Sequence, residues 1–88
     1  MTQARVAFLL SLPEGELNHE CLVSGVPQKG DIVFIEQISG KPYASAIAQV
    51  KEIALVVNVE EVTTFYAVQL ELLHTMPIKT AYEVVRRM

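Results

Sequence analysis

The side chains that can do chemistry in this sequence are few and scattered. His19 and Cys21 stand two residues apart, which on an extended strand puts an imidazole and a thiol on one face. That is the start of a soft-metal site or of an activated thiolate. Glu20 between them points the other way, and His74 is the only other histidine. A metal site needs three or four ligands with supporting contacts, and a Cys–His nucleophile needs a third group to orient the base. Neither set can be completed here. His19 and Cys21 therefore read as a strand-edge pair, with Cys21 a small half-buried apolar residue. No catalytic residue, metal, cofactor or small-molecule site is assigned.

The remaining chemistry-bearing residues weigh the same way. Glu14, Glu16 and Glu20 could attract a cation or a basic partner, but loop and edge carboxylates are ordinarily solvated, as are Glu60 and Glu61. Tyr43, Tyr66 and Tyr82 could stack on bases or peptides. Tyr66 and Tyr82 fall on core-type faces, which leaves mainly Tyr43 for that role. Arg86 and Arg87 suit a helix C-terminus, where cations complement the dipole. No glycine-rich phosphate loop, nucleophile elbow or His-Glu-x-x-His pattern occurs.

Composition bounds the partners. With 88 residues there is room for one domain, residues 1–88, and one core. Apolar residues make up 51 % of the chain and charged ones only 19 %. Too few polar side chains remain to cover a small body, and a contiguous exposed apolar patch usually marks an interface. The expected partner is therefore another copy of the chain or a second protein. A net charge of −3 opposes nucleic acid, whose binding rests on Lys and Arg neutralising phosphates. The apolar run Ala7–Leu12 is too short for a signal peptide core or a membrane span. A single cysteine excludes an internal disulfide, and a cytoplasmic setting is expected.

These residues must be positioned mostly by strands. Arg5–Leu12 alternates, with Val6, Phe8, Leu10 and Leu12 on one face. Pro13–Glu16 turns the chain into a short edge candidate, His19–Ser24. Asp31–Glu36 is the clearest strand, apolar on both faces, so both faces need cover. Ser39–Pro42 is a turn. Tyr43–Lys51 presents Ala44, Ala46, Ala48 and Val50 on one side, as a tight corner would require, although Ala44–Val56 could instead be helical. Ile53–Val59 is again strand-like, Glu60-Glu61 a bend, and Thr63–His74 a long strand with Tyr66, Val68, Leu70 and Leu72 on one face. From Pro77 the pattern changes to Ile78, Ala81, Tyr82 and Val85, an amphipathic helix with Thr75 as its N-cap. A helix so short is marginal alone and must dock, either on its own barrel or on a second subunit.

The run Gly25-Val26-Pro27-Gln28-Lys29-Gly30-Asp31-Ile32-Val33-Phe34-Ile35 resembles the Pro-x-x-Gly-Asp turn that enters a central strand in many SH3-like small barrels. Proline fixes one φ, glycine supplies a positive φ, and the aspartate can accept backbone N–H groups. Gly30-Asp31-Ile32-Val33 followed by Gly40-Lys41-Pro42 is similar to the opening of the MazF/PemK-like toxin ribonucleases. That resemblance implies cleavage of single-stranded RNA, with Lys41 as the basic residue and Thr63 or Thr64 as the hydroxyl. Lys29 stands where that family has Arg, and the basic-proline pair comes early. The expectation is thus a mainly-β fold, a small antiparallel SH3-like barrel or bent sheet with a C-terminal amphipathic helix. Its expected role is non-enzymatic: a protein–protein interaction or assembly module, homo-oligomeric, in the manner of accessory proteins of mobile elements or phages. The interface candidates are Val33, Ile35, Tyr43, Ile78, Tyr82 and Val85.

Overall fold

The computed structural model describes residues 3–38 and 45–76. Of these, 74 % lie in strands and none in a helix, as the mainly-β expectation requires. The expected turn Ser39–Pro42 and the C-terminal helix lie outside the described residues.

Five strands form one sheet: β1 (Ala4–Leu12), β2 (Gly15–Val23), β3 (Ile32–Ile35), β4 (Ser45–Asn58) and β5 (Thr63–Met76). Their order is β2-β1-β5-β4-β3, and the sheet curls into an open half-barrel. β1 and β2 make a hairpin across Pro13-Glu14, closed by the pair Leu12↔Gly15, where Gly15 takes φ 139°. β2 thus starts earlier than the expected His19, because pairing with β1 draws the polar stretch Gly15–Asn18 into the ladder. The concave face carries the core: Val6, Leu10 and Leu12 of β1 against Ala48 and Val50 of β4 and Val68 and Leu70 of β5.

The antiparallel expectation is corrected at the centre of the sheet, where β1 and β5 run parallel with Val6↔Tyr66 and Leu10↔Leu70 in register. On the outer face of this central pair Ala7 stands opposite Ala67 and Leu9 opposite Gln69. The helical alternative for Ala44–Val56 is also set aside. From Ser45 onward that stretch is strand, and it merges with Ile53–Val59 into one 14-residue strand. Between Val50↔Leu70 and Glu52↔Gln69 the residue Lys51 has no partner, a β-bulge that switches the core-facing positions from even to odd numbers. A second irregularity leaves Leu73 of β5 unpaired.

The Gly30-Asp31 turn forms as its chemistry predicts, but it feeds an edge strand and not a central one. Gly30 has φ 95°, the Gln28 N–H donates to Asp31 Oδ2 at 2.8 Å, and the Asp31 N–H donates to the Gln28 carbonyl at 3.0 Å. The turn is tied to β4 by Gly30 N–H to Val50 O and Val50 N–H to Asp31 O, both 2.9 Å. The connection from β2 to β3 therefore crosses one end of the open side, and its Val26 packs on the core. β2 and β3, the two edges, are not hydrogen-bonded to each other.

Two measurable consequences follow from the turns. Asp31→Ala removes a charge-assisted acceptor from an exposed turn, and urea denaturation should show a loss of about 1 kcal/mol. Val62, between Glu61 and β5, holds φ 54°, a left-handed conformation that is costly for a β-branched residue. Val62→Gly relieves roughly 1–2 kcal/mol of that strain at an entropic cost of about 0.5–1 kcal/mol, so dilute protein should gain about 0.5–1 kcal/mol. An unchanged or lower denaturation midpoint would show that the strain is not stored there.

Candidate interaction surfaces

Among the described residues two apolar surfaces remain after the core is assembled, one at each end of β4 and β5. The first is an arm. The pairing of β1 with β5 begins at Val6↔Tyr66, whereas β4 and β5 continue together through Val56↔Phe65, Val57↔Thr64 and Asn58↔Thr63. Beyond the pairing with β1 they form a two-stranded ribbon, a structure marginally stable in water without cover. Its tip, Val59–Val62, is shaped by the Glu61 N–H donating to Asn58 Oδ1 at 3.1 Å, an Asx-type turn. The ribbon is apolar where a solvated one would be polar. Val57 is 60 % exposed, Val59 and Val62 at the tip 83 % and 88 %, and Leu55, on the last rung shared with β1, 58 %. The hollow beside it is lined by Leu22, Phe65 and Tyr66, with Arg5 at its edge.

The second surface is a groove of about 570 Å³ in the mouth of the half-barrel. One wall is Phe8 and Leu17 of the β1–β2 hairpin; the other is Val33, Ile35 and Ile38. Polar groups, His19, Glu36 and Gln37, also border it. Gln37 takes φ 56°, and Ile38 after it packs against the core. The interface candidates Val33 and Ile35 thus share one wall, half-buried and not fully covered. Ile32 on the same strand is 47 % exposed. A strand apolar on both faces lies at a sheet edge with cover that is incomplete within the described residues. Tyr43, Ile78, Tyr82 and Val85 lie outside those residues.

Charged groups near the two surfaces are engaged with one another. Arg5 lies 3.5 Å from Glu20, and Lys29 lies 3.7 Å from Glu52, both as exposed ion pairs. Such pairs contribute little to stability, but they occupy cations that a phosphate would need. Glu16 accepts a hydrogen bond from Ser11 Oγ at 3.5 Å. His19 and Cys21 do share the concave face, on alternate positions of β2. Among the described residues no group of three or more His, Cys, Asp or Glu is placed to hold a metal ion. Thr63 and Thr64 sit next to the tip of the arm, while Lys41 lies outside the described residues. Tyr66 packs against the core, the bland assignment for it.

The arm is the surface that sequence reasoning missed. Its signal was present in Leu55, Val57, Val59 and Val62, which fall two or three residues apart on both sides of Glu60-Glu61. Only knowledge that β1 stops short of them could show that they face solvent. No helix among the described residues is long and apolar enough to cross a membrane. No family model, curated protein or solved structure matches the chain.

Proposed function

We propose that this protein is a non-enzymatic assembly module that associates with a second copy of itself through the β4–β5 arm. The observation that carries the proposal is the exposure of Val57, Val59 and Val62 on a ribbon that no third strand supports among the described residues, with Leu55 exposed on the rung at its base, where Tyr66 still pairs with Val6. The strained φ of Val62 adds to it, since a β-branched residue kept both strained and exposed is costly unless something selects for it.

Magnitudes decide what the arm can achieve. Burying one Val or Leu side chain contributes about 1.5–3 kcal/mol, against an association cost of roughly 4–15 kcal/mol. Two arms meeting face to face double the number of side chains, which brings a dimer into reach. In this picture the chain is a small β domain of a reducing, cytoplasmic compartment. Residues 77–88 form the amphipathic helix that their spacing describes, with Ile78, Tyr82 and Val85 on one stripe.

Light scattering after size exclusion tests the proposal. Full-length protein should elute with a mass above that of one chain and fall toward it on dilution. Leu55→Asp combined with Val57→Asp should give a monomer at every concentration with its strand circular dichroism intact, because both positions are already solvent-exposed. A wild-type chain that stays monomeric at the highest attainable concentration would remove the arm as an interface.

A further inference from the structure

We infer that the groove between the β1–β2 hairpin and β3 is the docking site for the chain's own residues 77–88. This goes beyond assembly through the arm and does not depend on it. Three observations converge on that occupant. The first is where the chain leaves the sheet. β5 ends at Met76, paired with Ser45, one rung from the row Ile35–Ala46–Thr75, and both Ser45 and Met76 are buried. The departure point is two strand spacings, about 10 Å, from the β3 wall of the groove. Twelve residues span about 18 Å as a helix, enough to cross the mouth from that rung.

The second is chemical match. The groove presents Phe8, Leu17, Val33, Ile35 and Ile38. Residues 77–88 carry Ile78, Ala81, Tyr82 and Val85 at the spacing of a single helical stripe. The third is charge. The described residues hold nine carboxylates against only Arg5, Lys29 and Lys51, and Glu36 lies at the groove. The tail reverses the sign, with Lys79, Arg86 and Arg87 against Glu83 alone. A tethered segment also competes at an effective concentration in the millimolar range, which a second copy in dilute solution does not reach.

The test is paramagnetic broadening in the full-length chain. On a Cys21→Ser, Arg86→Cys background a nitroxide is attached off the apolar stripe, and the amide spectrum of the same ¹⁵N-labelled chain is recorded. Signals of Leu17–His19 and Val33–Ile38 should be lost, and those of the arm tip Val59–Val62 retained. A mixed sample, ¹⁵N chain without nitroxide plus unlabelled chain with it, should show no such loss. Adding Leu55→Asp and Val57→Asp to both samples abolishes contact through the arm and leaves the groove intact, so failure of the arm dimer is read separately. If the Cys21 background does not fold, Tyr82→Asp in the otherwise native chain replaces it, and its shift changes should fall on the groove amides. Loss in the mixed sample would assign the groove to a second copy and overturn the inference. Absence of loss or shift at the groove would overturn it equally.

Discussion

Between Val50 and Glu52 the strand β4 takes one residue more than its partner, and most of the architecture depends on that insertion. Before it, Ala46, Ala48 and Val50 face the core; after it, Ile53 continues that face and packs on the core, and Leu55 and Val57 extend the same face beyond it into solvent. Without the bulge the second set would turn to the convex face, since a slip of one residue inverts every side chain of a strand. The bulge also increases local twist, and together with the irregularity at Leu73 it curls a sheet that would otherwise be flat. Small residues complete the bend. Ala46 and Ala48 are fully buried opposite Ile35 and Val33, where larger side chains would push β3 away. Val50, at the bulge, then donates to and accepts from the Gly30-Asp31 turn, so the bend in β4 and the start of β3 are fastened at one point.

Much of this was legible residue by residue. The alternation in β1 and β5 named the core face correctly, and the roles of Gly30 and Asp31 followed from the conformational freedom of one and the acceptor of the other. Pairing between distant strands was not legible. That β1 and β5 run parallel depends on which hairpin edges meet, and composition carries no direction. β3 looked central because Ile32–Ile35 is apolar on both faces, a pattern that burial on two sides and an unfinished edge produce alike. β4 looked like two strands, or a helix, because a bulge breaks period-two alternation just as a turn does. Of the candidate residues, Val33 and Ile35 came together on one wall of a groove. The arm escaped notice because exposure is a property of what neighbours a strand lacks.

The apolar excess is thus divided between two places, and the division bears on what kind of assembly can form. Were the groove and the arm both open, the arm of one copy could enter the groove of the next. That contact is heterologous, and nothing in it closes; such contacts propagate into open-ended filaments. A groove filled by residues of the same chain removes that outcome and leaves the arm as the extended apolar surface on offer among the described residues. Arm on arm is self-complementary, so it closes at two copies. The exposed edges β2 and β3 pose the same hazard of open-ended pairing. β2 carries Glu16, His19 and Glu20 along its length, and β3 is only four residues long, both recognised ways of blunting an edge. In the proposed arrangement every route to indefinite association is weakened except one that terminates itself. Self-covering of the groove would then matter less for the stability of the monomer than for the finiteness of the assembly.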